Sequence, residues 1–505
     1  MPSRRSPVLR VLVGIAVAIA VGAGALAWSS TLLGEYSVMD MGGAAVDVSG
    51  VPSGHAAHTE HSGRSGLSAD PAQPGGAVSV TTLTADPDRP ADVHAELVAR
   101  QQTVDVPGGR SLEGYTVNGT SPGPVIRARQ GELVEVVFVN ESVAAGATLH
   151  WHGIDVPNSA DGVAGITQDA VPTGGRYTYR FVATDAGTYW YHSHQVSHEQ
   201  VEGGLLGAVV IDPAEPSAAT DADIVALLHV YGGQHTLNGR VGDEQVAADP
   251  GSTVRVRIIN SDQGTAAVWS AAPFRVLATD GHEVNSPSDV EGRKLLIPAG
   301  GRADVAAQAP QQGAVRLQVG GARGILIGDP TVTAPPSAQP TETLDLLSYG
   351  DPAPLGIDVS SPARVYDYVI SRRFGIINGR PGNFWTINGK LFPDVPMFHV
   401  SEGDVVVMKI VNDSNDVHPM HLHGHHVVVL SRDGVAASGS PWWVDSLEVH
   451  PHESYEIAFV ADNPGIWADH CHTLLHAVDG LIAHVMYDGV TTPFTINGDA
   501  GNRPE

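Results

Sequence analysis

The histidines of this chain gather where they could hold metal. Four clusters stand out: His150-Trp-His152-Gly153, His192-Ser-His194, His418-Pro-Met-His421-Leu-His423, and His470-Cys471-His472 with His476 following. In an extended strand residues i and i+2 share a face, so each His-x-His delivers two imidazoles to one place. In His470-Cys471-His472 the two rings face one way and the thiol the other. Cys471 must therefore serve a different metal from its flanking histidines, with a short main-chain path between the two. That arrangement suits a protein that takes electrons in at one centre and spends them at another.

The donor types narrow the metal. Imidazole with a single thiolate, and a weak or absent axial ligand, is the donor set of a blue-copper electron-transfer site. Structural zinc favours closed four-ligand sets richer in cysteine, and catalytic zinc needs about three ligands. Ten histidines in paired clusters exceed either need. His198, His425, His426, His450 and His452 lack this pairing and read as packing or surface residues. Trp442-Trp443 could line a substrate pocket or simply pack, since aromatics dominate core energetics.

These clusters need rigid strands, and the sequence supplies them three times over. Thr116-Val-Asn-Gly119 precedes Glu132-Leu-Val-Glu-Val-Val-Phe-Val-Asn140, Thr236-Leu-Asn-Gly239 precedes Thr253-Val-Arg-Val-Arg-Ile-Ile-Asn260, and Thr386-Ile-Asn-Gly389 precedes Asp404-Val-Val-Val-Met-Lys-Ile-Val-Asn412. Asn-Gly marks a tight turn and alternating β-branched residues mark a half-buried strand. Three copies of one β-sandwich domain follow, an all-β fold. Residues 90–215, 216–345 and 346–490 form the three domains, with the clusters confined to the outer two and only scattered histidines, such as His235 and His282, in the middle one. With 58 glycines and 35 prolines in 505 residues, the composition agrees.

The flanks read differently. Arg4, Arg5 and Arg10 precede an apolar run from Val11 to Leu33, so residues 1–33 form an export signal or membrane anchor, with the remainder outside the cytoplasm. The length of the run favours an anchor over a cleaved leader, although Ala25-Leu26-Ala27 would serve for cleavage. Residues 34–89, rich in Gly, Ser, Ala, Asp and Pro, read as a flexible linker. Its Met39, Met41, His55, His58 and His61 could collect copper, but a solvated linker is the plainer reading. Residues 491–505 form a C-terminal tail. The formal charge of −27 excludes a nucleic-acid partner, because no basic stripe exists to neutralise phosphates. Cys471 is the only cysteine, so no intramolecular disulfide can form.

From about Val104 to Tyr487 the chain resembles the three-domain multicopper oxidases, laccases among them: the four clusters look like that family's four copper motifs. The resemblance implies three cupredoxin-like Greek-key sandwiches and four coppers. His418, Cys471 and His476 would hold the type 1 ion, and His150 and His421 the type 2 ion. His152, His192 and His472 would hold one ion of the type 3 pair, and His194, His423 and His470 the other. It implies dioxygen as acceptor and a small-molecule or metal-ion electron donor, with Cys471 and His476 on the electron route. Asp161 falls where the family keeps an acid near the trinuclear centre, as proton donor or orienter; an Asp that merely opens the turn at Gly162 is the structural alternative. Two departures stand out. The axial position is Leu481 rather than methionine, which implies a high potential. A second family acid, three or six residues past the cysteine, is replaced by Leu474 and Ala477, leaving Asp469 or Asp479 as substitutes. Copper-efflux members carry methionine-rich inserts, whereas this chain has seven methionines and no cluster of them in the third repeat. A laccase-like phenol or aromatic-amine oxidase is therefore expected, ahead of a metallo-oxidase for Cu(I), Fe(II) or Mn(II) and well ahead of a non-enzymatic copper-binding protein.

Overall fold

The computed structural model describes residues 21–22, 31–49, 77–215, 220–321 and 323–505. Most of the apolar run expected to be a leader or anchor lies outside these residues, as do His55, His58 and His61. No helix among the described residues is long and apolar enough to cross a membrane.

Each of the three repeats closes as two facing sheets around its own apolar core. In every copy the turn Asn and Gly both have positive φ: 53° and 85° at Asn118-Gly119, 50° and 75° at Asn238-Gly239, 52° and 72° at Asn388-Gly389. Few residues other than Asn and Gly adopt this geometry cheaply. The turn Asn then binds the neighbouring strand, its Oδ1 accepting from the N–H of Val98, Leu227 or Val369 at 2.7, 2.9 and 2.8 Å. The strand that follows ends on a buried asparagine, Asn140, Asn260 or Asn412, whose Nδ2 donates to a carbonyl of the loop just beyond it, that of Val143, Gly264 or Asp416. The repeat is thus conserved between copies down to single hydrogen bonds.

In the first sandwich the inner sheet runs Ile126–Arg129, Leu206–Asp212, Gly187–His192, His150–His152, which sets His150 opposite His192. In the third it runs Met397–Val400, Ile482–Tyr487, Ile466–Cys471, His418–Leu422, Ser446–Val449, which sets His421 opposite His470 and Met420 opposite Cys471. Pairing of two His-bearing strands in each outer domain turns four short motifs into two imidazole-lined faces.

Parts of the expected linker are docked. Val38 and Met41 sit in the core of the third sandwich, Ala44 and Asp47 bridge Met397 and Tyr366, and Val78–Ser79 pairs with Val490–Thr491. A few apolar side chains find a sandwich edge there, a local signal that the Gly/Ser-rich average over residues 34–89 conceals. Met41, being buried, is packed rather than available to collect copper.

The middle domain does more than separate the other two. Its Arg302, fully buried, donates to both carboxylate oxygens of Asp445 in the third domain at 2.6 Å each and to the Thr188 carbonyl of the first at 3.0 Å. A Cβ on Gly153 would fall 2.2 Å from the Arg302 guanidinium, so the glycine after His-Trp-His is the space the clamp occupies. Burial and then the Asp445 charge push Asp280, also facing Arg302, up to about 6. Burial would raise Asp445 as well, but Arg302 and three histidines outweigh it and hold the carboxyl well below its usual range. Removing one partner of a buried pair leaves the other charge uncompensated, at about 3–5 kcal/mol. Arg302→Ala should destabilise the metal-free chain by that amount in urea denaturation. A change below about 0.5 kcal/mol, the range of ordinary surface substitutions, would show that the clamp carries no weight.

Candidate metal centre

Two groups of ligand atoms form, one inside the third domain and one between the first and third. In the first group His418 Nδ1, His476 Nδ1 and Cys471 Sγ lie 3.2, 3.5 and 3.7 Å apart. Donors at about 2.0–2.3 Å from a shared ion have this spacing. The second nitrogen of His418, Nε2, is 3.1 Å from Ser414 Oγ, on the loop that Asn412 pins. The Trp385 ring lies 4.4 Å from His418 and 4.7 Å from His476. Burial pushes the Cys471 thiol up and lowers His418 to about 3, so without metal the site holds a neutral thiol and a neutral imidazole. Leu481 is fully buried in the same core as Cys471, and its carbonyl accepts the Cys471 N–H at 3.1 Å.

The second group gathers eight imidazoles from both outer domains. His150 Nε2 and His421 Nε2 are 3.4 Å apart. His194 Nε2 and His423 Nε2 lie 3.4 and 3.2 Å from His470 Nε2. His152, His192 and His472 converge as a third set, and His152 Nδ1, His192 Nε2 and His472 Nε2 are buried without any hydrogen-bond partner. Unpaired buried polar atoms are rare and costly, and here they face one another. Six of these rings (His152, His192, His194, His423, His470 and His472) have proton affinities driven well below normal, by burial first and neighbouring imidazoles second. A shell of neutral imidazoles with inward lone pairs, beside a second site with one thiolate, fits copper.

The outward nitrogens of six of the eight rings find acceptors in the protein. His150 Nδ1 donates to the Asp161 carbonyl at 3.0 Å and lies 3.1 Å from its Oδ1. His423 Nδ1 contacts the same carboxylate at 3.1 and 3.2 Å. His421 Nδ1 donates to the Asp445 carbonyl at 2.9 Å, and His152 Nε2 to Asp445 Oδ1 at 3.1 Å. His192 Nδ1 donates to the Ser193 carbonyl, and His194 Nδ1 to that of Pro504, each at 3.0 Å. Such outer partners fix the tautomer and aim the other nitrogen at the metal. Asp161 opens the turn at Gly162, where a Cβ would fall 1.8 Å from the Leu149 carbonyl, and its carboxylate also joins His150 to His423. Gly300 of the middle domain packs against His152 and His472, where a Cβ would fall within 2.8–2.9 Å of the rings.

Other histidines and aromatics lie outside both groups. His425 hydrogen-bonds Tyr487 Oη at 2.7 Å, and His426 pairs with Asp155 and Asp445. Trp442 lines a cleft between the second and third domains and Trp443 stacks on His282, so the aromatic beside the Cys471 site is Trp385. Trp385, Arg302, Asp445 and Ser414 escape a motif search. Only Trp385 had a local signal, standing immediately before the third repeat's Thr-Ile-Asn-Gly.

Comparison with known proteins agrees. Two multicopper oxidase family models match residues 98–216 and 370–489. The chain is 29% identical to the multicopper oxidase MmcO of Mycobacterium tuberculosis, over 83% of this chain and 89% of that protein. It is 28% identical to Laccase-1 of Botryotinia fuckeliana, over 76% and 80%. The crystal structure of a multi-copper oxidase from Pseudomonas thermotolerans superposes with a TM-score of 0.65 at 27% identity, covering 79% of this chain and all of that one. Fold, ligand geometry and sequence together place the chain in the multicopper oxidase family. It is a copper-dependent oxidoreductase with dioxygen as acceptor, carrying type 1, type 2 and type 3 coppers.

Proposed function

We propose that the chain is a laccase-like oxidase of phenols or aromatic amines, with His476 as the place where donor electrons enter. One observation carries this reading. Of the eleven ligands, His476 alone is not buried. Beside it Leu475 is 55% exposed, and the hairpin that carries Trp385 exposes Phe374 and Ile376, giving an apolar approach suited to an aromatic ring. Asp416 and Asp479 also act on His476, as a metal-ion donor would require, but Asp416 is paired with Arg372 at 3.4 Å and Arg372 lies over Trp385. One of the two carboxylates is therefore neutralised, and with the apolar approach this favours an uncharged organic donor over Fe(II), Mn(II) or Cu(I).

Bound copper supplies one-electron redox chemistry at the first site and dioxygen reduction at the second. The protein's part is geometric. Cys471 is bonded through the main chain to His470 and His472, so the two sites share a covalent path. Asp161, buried and touching His150 and His423, is placed to hold a proton beside the site where dioxygen is consumed. An extracytoplasmic location, by secretion or through an N-terminal anchor, is supported by the arginines that precede the apolar run.

With dimethoxyphenol, Fe(II), Mn(II) and Cu(I) compared as donors, kcat/KM should be highest for the phenol. Turnover confined to a metal ion would transfer the protein to the metallo-oxidases. In stopped-flow measurements the Asp161→Asn holoenzyme should accept electrons from the donor at nearly the parent rate. Its reoxidation by dioxygen should slow by about 10²–10⁴, the usual effect of losing a positioned proton donor. Reoxidation at the parent rate would reduce Asp161 to a turn residue.

A further inference from the structure

The acid that relatives carry within the last motif is missing at Leu474 and Ala477, and neither sequence candidate replaces it. Asp469 lies on the same strand face as Cys471, and both act on Tyr368, away from the imidazoles. Asp479 caps the helix Leu474–Val478. Another carboxylate does reach the centre. Glu505 Oε1 lies 3.5 Å from His470 Nδ1 and 3.8 Å from His194 Nε2. Both Glu505 Oε1 and His470 Nδ1 are buried with no hydrogen-bond partner, and they face each other. An adjustment of about half an ångström would close them to ordinary hydrogen-bond length.

The segment that brings Glu505 there is fastened at each step. Asn502, fully buried, accepts the Ala170 N–H at 2.8 Å and donates to Asp169 at 2.7 Å. The Arg503 carbonyl accepts the Val196 N–H at 2.6 Å, and the Arg503 N–H donates to Gln195 Oε1 at 2.8 Å. The Pro504 carbonyl orients His194, and Ser197 Oγ holds Glu505 Oε2 at 2.8 Å. Val196, a β-branched residue, is held at φ 47°, a conformation that persists only when its surroundings impose it. Ala477 lines the same cavity as Glu505.

We propose that Glu505 is the second carboxylate of the trinuclear centre, accepting the Nδ1–H of His470 and thereby presenting that ring's Nε2 to the metal. It is a positioning residue, supplied from outside the four copper motifs. The inference rests on the copper reading, which the parent protein's own copper content checks separately.

The test compares Glu505→Met, which fills the space but accepts no hydrogen bond, with Glu505→Gln, whose amide oxygen still accepts one. Each holoprotein is dialysed against graded chelator, with copper per chain and the blue absorption followed. Glu505→Met should release trinuclear copper at about 10–100-fold lower chelator concentration than the parent, the usual effect of losing a partner of a metal-bound histidine. Glu505→Gln should stay close to the parent, and the blue band should survive in both. Parent-like copper retention by Glu505→Met, or equal loss in the two variants, would overturn the assignment.

Discussion

Everything in this molecule is arranged around gathering ten imidazoles, nine of them buried. Burial together with mutual proximity lowers the proton affinity of rings such as His192 and His470 well below normal. Neutral rings crowded at 3.2–3.4 Å, nitrogen to nitrogen, gain nothing from one another. They become favourable only when a cation accepts the inward lone pairs while protein acceptors take the outward N–H groups. Copper binding and the folded arrangement of the ligands are therefore one problem, as expected when a site's donors cannot satisfy each other.

That constraint explains the division of labour among the domains. The first and third each offer imidazoles from two paired strands, and neither offers enough alone. They must be held face to face, and the middle domain does this through Arg302, Gly300 and the apolar junction of Trp190, Leu227, Ile259 and Leu474. Asp445 is the point where clamp and site meet: its carboxylate takes Arg302 and His152, and its carbonyl takes His421. The alternation of one strand, Ile466–Cys471 with His472 beyond it, then separates the thiolate from the imidazoles on either side.

What could be read from sequence was periodic or local. The i, i+2 spacing of the histidines, the opposite facing of Cys471 and the threefold Asn-Gly-plus-strand repeat depend on neighbours along the chain, and they appear as expected. What could not be read depends on partners far apart. Arg302 and Asp445 are 143 residues apart and His470 and Glu505 are 35 apart, with no motif linking either pair. Val38 and Met41 were hidden because composition averages a docking patch into its flexible surroundings. At Asp161 the turn and the histidine contacts do not compete: the turn that Gly162 permits is what aims the carboxylate at His150 and His423.

Cys471 would hold one metal while the histidines on either side of it hold others. Copper per chain and visible absorption of the Cys471→Ser holoprotein test it directly, because serine keeps the volume but offers a hard, protonated oxygen. The parent should carry four coppers, and the variant should lose one of them together with the intense blue band, while the trinuclear copper stays bound. A variant that keeps the blue band, or loses all its copper at once, would contradict it.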